Sequence, residues 1–200
     1  MCGEPILTTL KSYLRRYTNI PALICLLREQ RITLLDPETW DDKNDSHFLK
    51  LYQEKNGFQS VLALCFTRTS ETYRHWRVFA NGSSGVCVTF KRDQLLHAVG
   101  KQTGIRCGIV KYLTLAAMRR TKLAVRDLPF WKRYPFEHER EFRIIYESRE
   151  RSRAIQSLFL FLSRSIASFV YPAGITAIPN LGSIVLPQSF REIFVGPVVG

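Results

Sequence analysis

The eight residues SVLALCFT at 60–67 constrain this chain more than any other stretch. They form a near-continuous apolar run, the pattern of a β-strand covered on both faces. Shorter segments around it predict further strands at 12–18, 31–35, 86–90, 105–112 and 141–146, and two near 183–186 and 192–195. Helices are expected from 20, capped by Thr18 or Asn19 with Pro21 in the first turn, and at 46–54. Others are expected at 69–79 with Ser70 as cap, at 93–99, at 113–126, and as a poorly amphipathic helix or helix pair at 153–168. A turn is expected at 81–85. Strands and helices mix without a βαβ rhythm, so the predicted class is α+β, and 200 residues suffice for one domain. Its core is expected at 13–147, followed by a C-terminal segment at 148–200.

Charge then narrows the partners. Lys and Arg number 29 against 17 Asp and Glu, a net charge of +12. The excess is local: residues 101–155 hold 14 basic and 6 acidic side chains. A confined basic stretch reads as a binding surface for a polyanion, with nucleic acid the first choice. Arg119, Arg120, Lys122, Lys132 and Arg133 are its candidate contacts. The five cysteines are scattered and odd in number, without CxxC or Cys/His ligand spacing, so no metal site is expected from them. Cys65 and Cys87 lie in apolar strands and read as buried thiols. The first twenty residues lack an apolar signal core, and the longest apolar stretch, at 157–171, is broken by Arg164. A cytoplasmic protein with no membrane contact is the expectation.

Phosphate-loop, GxSxG and HExxH patterns are missing from the sequence, and the four histidines stand far apart. Three strings remain. FEHEREFRII at 136–145 puts Glu139, Glu141 and Arg143 on one face of a strand by period-two alternation. Those charges either form a structural ion network or line a polar cleft. YRHWRVFANG at 73–82 aligns Tyr73, Trp76 and Ala80 at helical spacing, which suits a core stripe or a ligand platform. The acidic loop at 36–45 holds five acids and one Lys, including Asp41, Asp42 and Asp45. Such acids are solvated, cap the next helix, or bind a divalent cation.

Taken in order, Arg16-Tyr17, 37–45, Cys65-Phe66-Thr67, Trp76, 85–90, Val110-Lys111-Tyr112, Lys132 and 139–144 resemble an uncharacterised bacterial domain family found among phage-defence and abortive-infection genes. The layout is also similar to compact ADP-ribosyltransferases. That second resemblance implies a compact split, mixed or antiparallel sheet with flanking helices, and NAD as substrate. By order alone it assigns Arg16 and Tyr17 to the dinucleotide, Thr67, Tyr73 and Trp76 to the nicotinamide pocket, and Glu139 and Glu141 to catalysis. The middle motif departs from the usual Ser-Thr-Ser, and the early strand lacks the His of many toxin relatives.

Breaking the nicotinamide–ribose bond develops oxocarbenium character that a carboxylate stabilises. Glu141 is the expected catalytic carboxylate and Glu139 the activator of the acceptor. The resulting expectation is a toxin-type transferase acting on nucleic acid, RNA favoured, held in check by a neutralising or regulatory partner. Two other readings stay open: a metal-dependent nuclease built on Asp41, Asp42, Asp45 and the Glu pair, and a non-catalytic nucleic-acid-binding module.

Overall fold

The computed structural model describes residues 12–29, 31–80, 85–100, 102–150, 157–161, 167–170 and 176–177. They form an α+β fold, with a large, mostly antiparallel sheet and flanking helices. The strands are β1 (Tyr13–Asn19), β2 (Arg31–Leu35), β3 (Ser60–Thr67), β4 (Gly85–Lys91), β5 (Ile105–Ile109), β6 (Lys111–Leu113), β7 (Trp131–Arg133), β8 (Glu141–Ser148), β9 (Ser157–Phe161), β10 (Ala167–Val170) and β11 (Thr176–Ala177). The α-helices are α1 (Ile20–Glu29), α2 (Lys43–Asn56), α3 (Tyr73–Phe79), α4 (Arg92–Val99) and α5 (Leu115–Arg120). Strands β6 and β7 make a separate parallel ribbon.

β3 is central, as its composition demands. Leu62, Leu64 and Phe66 enter one core with Leu14, Val88, Phe90, Leu95, Phe142 and Ile144. Val61 and Ala63 enter a second core on the opposite face with Leu49, Tyr52, Leu128 and Ile145. Helices α1 and α4 supply the first core and α2 the second. Removing such side chains from water on both faces, at about 25 cal/mol per Å² of apolar surface, makes β3 the anchor of the fold.

The sheet forks on one side of β3. β3 pairs with β8 along its whole length, from Ser60↔Ser148 to Thr67↔Glu141. Its other edge meets β1 at Arg15↔Thr67 and β2 at Leu35↔Ala63. On its own far edge β1 pairs with β4 along its whole length, from Tyr13↔Lys91 to Asn19↔Gly85. The fork opens between β1 and β2.

Local chemistry sets the element ends. The Asn19 side chain accepts from the Ala22 N–H and starts α1. The Asp42 carboxylate accepts from the Asn44 and Asp45 N–H groups and starts α2. Gly57, at φ +66°, ends α2 in the left-handed conformation that glycine adopts without strain.

Several elements differ from expectation. α2 begins at Lys43 because Asp42 caps it, so much of the acidic loop belongs to a helix start. α3 is capped by Thr72, whose hydroxyl accepts from the His75 N–H, and not by Ser70. The helix expected at 113–126 shrinks to α5, followed by a 3-10 segment at Val125–Phe130 that contains Pro129.

Within the stretch expected as helix at 153–168, residues 157–161 form a strand on β2 and residues 167–168 begin β10, a strand on β4. A short apolar run fits either state, and two strands with free edges favour pairing. The turn at 81–84 and the strands near 183–186 and 192–195 lie outside the described residues. Among the described residues no helix is long and apolar enough to cross a membrane.

Candidate active site

Three strands bring the assigned positions side by side. Arg15 of β1 faces Thr67 of β3, and Thr67 faces Glu141 of β8. At this level a cavity of about 880 Å³ opens, lined by Arg16, Tyr17, Thr67, His75, Glu139 and Glu141 among others. That volume falls in the range of small-molecule sites.

One wall is a buried ionic cluster. Arg143 is fully buried and makes a bidentate pair with Asp45, Nη1 to Oδ1 at 2.9 Å and Nη2 to Oδ2 at 2.7 Å. Its Nε donates to Glu141 Oε1 at 2.7 Å, and Nη1 also donates to the Pro129 carbonyl. Lys132 is the second centre. Its Nζ lies 2.7 Å from Glu139, 3.4 Å from Asp45, 3.5 Å from Glu141 and 3.7 Å from Asp42. Trp40 and Phe136 close over the cations, at 5.1 Å from Arg143 and 4.9 Å from Lys132. The 3-10 turn Tyr134–Glu139 carries Glu139 back toward Lys132, which the sequence showed only as a seven-residue separation.

The two glutamates differ in character. Burial alone raises the Glu141 carboxyl, but Arg143 and Lys132 outweigh it and hold Glu141 at about 2. Burial also raises Glu139, and there Lys132 does not cancel the effect, so Glu139 stays above the ordinary carboxylate value. The Lys132 ammonium gains proton affinity despite its burial because Glu141, Asp45 and Glu139 surround it. Glu141 is bound by two cations and Glu139 by Lys132 alone, so their carboxyls shift in opposite directions.

The opposite wall lacks such pairing. Arg16 Nη1 donates to the Cys65 carbonyl at 3.1 Å, at the fork. No carboxylate among the described residues pairs with Arg16, and desolvation lowers its pKa. Tyr17 stacks on His75 with centroids 5.2 Å apart, and Trp76 meets Tyr17 edge-on. Thr72 Oγ1 holds His75 Nδ1 at 2.5 Å. His75 Nε2 and the Tyr17 hydroxyl are buried without a hydrogen-bond partner among the described residues. Burial lowers the His75 pKa and favours the neutral ring.

Of the expected site residues, Arg16, Tyr17, Thr67, Glu139 and Glu141 meet at the cavity. Others do not take the expected role. Tyr73 is 79% exposed and lies outside the cavity lining, since it begins α3 on the solvent face. Trp76 backs Tyr17 and donates its indole N–H to Glu71, so it supports the wall without lining it. Lys132 is buried among carboxylates and is not part of a basic surface.

Glu141 is engaged by Arg143 and is not a free carboxylate, although the cavity does lie beside it. Arg119, Arg120 and Lys122 are exposed on or just after α5, and Arg133 is half-buried. Asp42 and Asp45 do join the Glu pair, while Asp41 stays exposed, but the acids converge on the Lys132 ammonium. Among the described residues no group of three or more His, Cys, Asp or Glu is disposed to hold a metal ion.

Sequence reading missed three members: His75, Asp45 as partner of Arg143, and Lys132 as hub. Thr72 followed three residues later by His75 was the one local signal. The other two are contacts across the fold. Compared with family models, curated proteins and solved structures, the chain finds no match in any of the three.

Proposed function

We propose that this protein cleaves the nicotinamide–ribose bond of NAD and transfers ADP-ribose to nucleic acid, RNA favoured, as an anti-phage toxin. The observation that carries the reading is one cavity with a guanidinium lacking an acid partner among the described residues on one wall and the Glu139 carboxyl, held by Lys132, on the other. A dinucleotide offers phosphates to the first and a ribose to the second. The split between β1 and β2 along β3 supports the same reading, because it opens the space between them.

In this chemistry the C1′–nitrogen bond of the nicotinamide ribose breaks and nicotinamide leaves with the electron pair. The cation left on the ribose is stabilised by the anionic wall of Asp42, Glu139 and Glu141. A nucleophilic atom of the acceptor bonds to C1′ and gives its proton to Glu139. Thr67, whose hydroxyl donates to the Glu139 carbonyl at 2.7 Å, keeps that segment in position. Arg16 binds a phosphate, and Tyr17 with His75 forms the flat wall. A toxin of this kind is paired with a neutralising partner protein.

The test is incubation with labelled NAD and RNA or DNA. Wild type consumes NAD and labels the nucleic acid. Glu139→Gln loses transfer by at least about a hundredfold while keeping its thermal midpoint within a few degrees. A wild type that neither consumes NAD nor labels anything ends this reading.

A further inference from the structure

A second cationic group gathers where β3 ends and β8 begins, outside the cavity lining, and is explained by nothing above. Arg68 directly follows β3, and its backbone N–H donates to the Arg140 carbonyl at 3.1 Å. Its side chain is half-buried, and its Nε is buried without a hydrogen-bond partner among the described residues. Arg140 sits between Glu139 and Glu141. It has φ 45° and ψ 46°, making it the one left-handed non-glycine residue among those described. Such a conformation strains a side-chain-bearing residue and is kept where the surroundings impose it. Arg92 opens α4 with its guanidinium 5.9 Å from the Phe142 ring centre.

No carboxylate among the described residues pairs with Arg68 or Arg92. Arg140 has one exposed bridge to Glu137 at 3.2 Å, which neutralises little. Burial is the main cause that lowers the Arg68 pKa; Tyr112 opposes it, and the charges of Arg140 and Arg92 add to it. Tyr112 completes the group. Its hydroxyl accepts from the Glu141 N–H at 2.9 Å, and its own hydrogen has no acceptor among the described residues. The same Glu141 turns its side chain to the cavity.

We propose that Arg68, Arg92, Arg140 and the Tyr112 hydroxyl form a notch that binds a backbone phosphodiester of the acceptor strand. Guanidinium forks match phosphate oxygens in pairs, and the phenol adds a further donor. The notch gathers at the start of β8, where Arg140 joins Glu139 to Glu141 and Tyr112 meets the Glu141 N–H, and none of its four residues is part of the cavity lining. This rests on nucleic acid being the acceptor, but it is testable without NAD.

The experiment is fluorescence anisotropy with a short labelled single-stranded RNA and a DNA of the same sequence, over a range of salt. Arg68→Gln with Arg92→Gln weakens RNA binding about tenfold or more and flattens the log–log salt slope by about 0.7 per lost contact. Arg140→Gly weakens binding while raising the thermal midpoint, because glycine takes this backbone without strain. A structural role for Arg140 predicts no loss of binding.

Equal losses on RNA and DNA assign the notch to phosphate alone. A loss on RNA only adds the 2′-hydroxyl to its ligand. The proposal is overturned if these variants bind like wild type while Arg119→Gln, Arg120→Gln and Lys122→Gln carry the loss. Lost NAD turnover with notch binding intact breaks only the transferase reading, and the converse breaks only this one.

Discussion

The two walls of the cavity hold buried charge in opposite ways. On the Lys132–Arg143 wall every cation has a carboxylate at hydrogen-bonding distance. On the Arg16 wall the guanidinium has only a backbone carbonyl. Paired buried charges fix geometry, and removing one partner strands the other in a low-dielectric setting. A partly buried guanidinium without an acid partner costs the fold desolvation energy, which an anion bound beside it offsets. The first wall is therefore the frame of the site, and under the proposed function the second is the part that meets the ligand.

The sharpest way to break this contrast is at Asp45. Asp45→Ala leaves Arg143, at zero exposure, with one of its two anions, and a loss of about 3–5 kcal/mol is expected in denaturant unfolding. Lys132→Met is comparable in size but has a distinct signature. It removes the charge that lowers both Glu139 and Glu141, so its deficit shrinks as pH falls and Glu139, already above the ordinary carboxylate value, takes up a proton. A Lys132→Met deficit that does not respond to pH contradicts the hub role.

Acid unfolding comes next. Glu141 is held at about 2 against an ordinary 4.5, so its folded form binds protons more weakly than its unfolded form. Its contribution is complete above pH 4.5 and is lost as pH falls toward about 2. Glu141→Gln flattens the stability curve across that window. Glu139 has the opposite sign, since its raised pKa weakens the fold as pH rises through it. Glu139→Gln is accordingly the milder change at neutral pH.

The smallest effect is expected at Arg16. Arg16→Met shifts stability by no more than about 1 kcal/mol, one ordinary hydrogen bond, while weakening NAD binding at least tenfold by calorimetry. A large stability loss there makes the two walls alike and removes the basis for calling one of them a ligand wall.

Some of this was legible in the chain. SVLALCFT announced a strand covered on both faces, and β3 has cores on both. Period-two alternation put Glu139, Glu141 and Arg143 together, and they do meet, although Glu139 reaches the group from a 3-10 turn and not from the strand. Arg16, Thr67 and Glu141 all line one cavity, although Arg15 and not Arg16 stands opposite Thr67 in the sheet. The run at 153–168 misled because an apolar segment without a polar face suits a strand at a free sheet edge as well as a helix. Lys132 misled because basic residues are read as surface until their acids are found.

By itself the sequence determined which segments must be buried, where the charges lie along the chain and which face each strand residue takes, because these follow from local periodicity and hydropathy. Only the tertiary structure decided which charges neutralise each other. Asp45 and Arg143 are 98 residues apart and Arg16 and Cys65 are 49 apart. Pairing depends on distance and burial, which no local pattern contains, and it is pairing that separates the frame of this site from the groups free to bind.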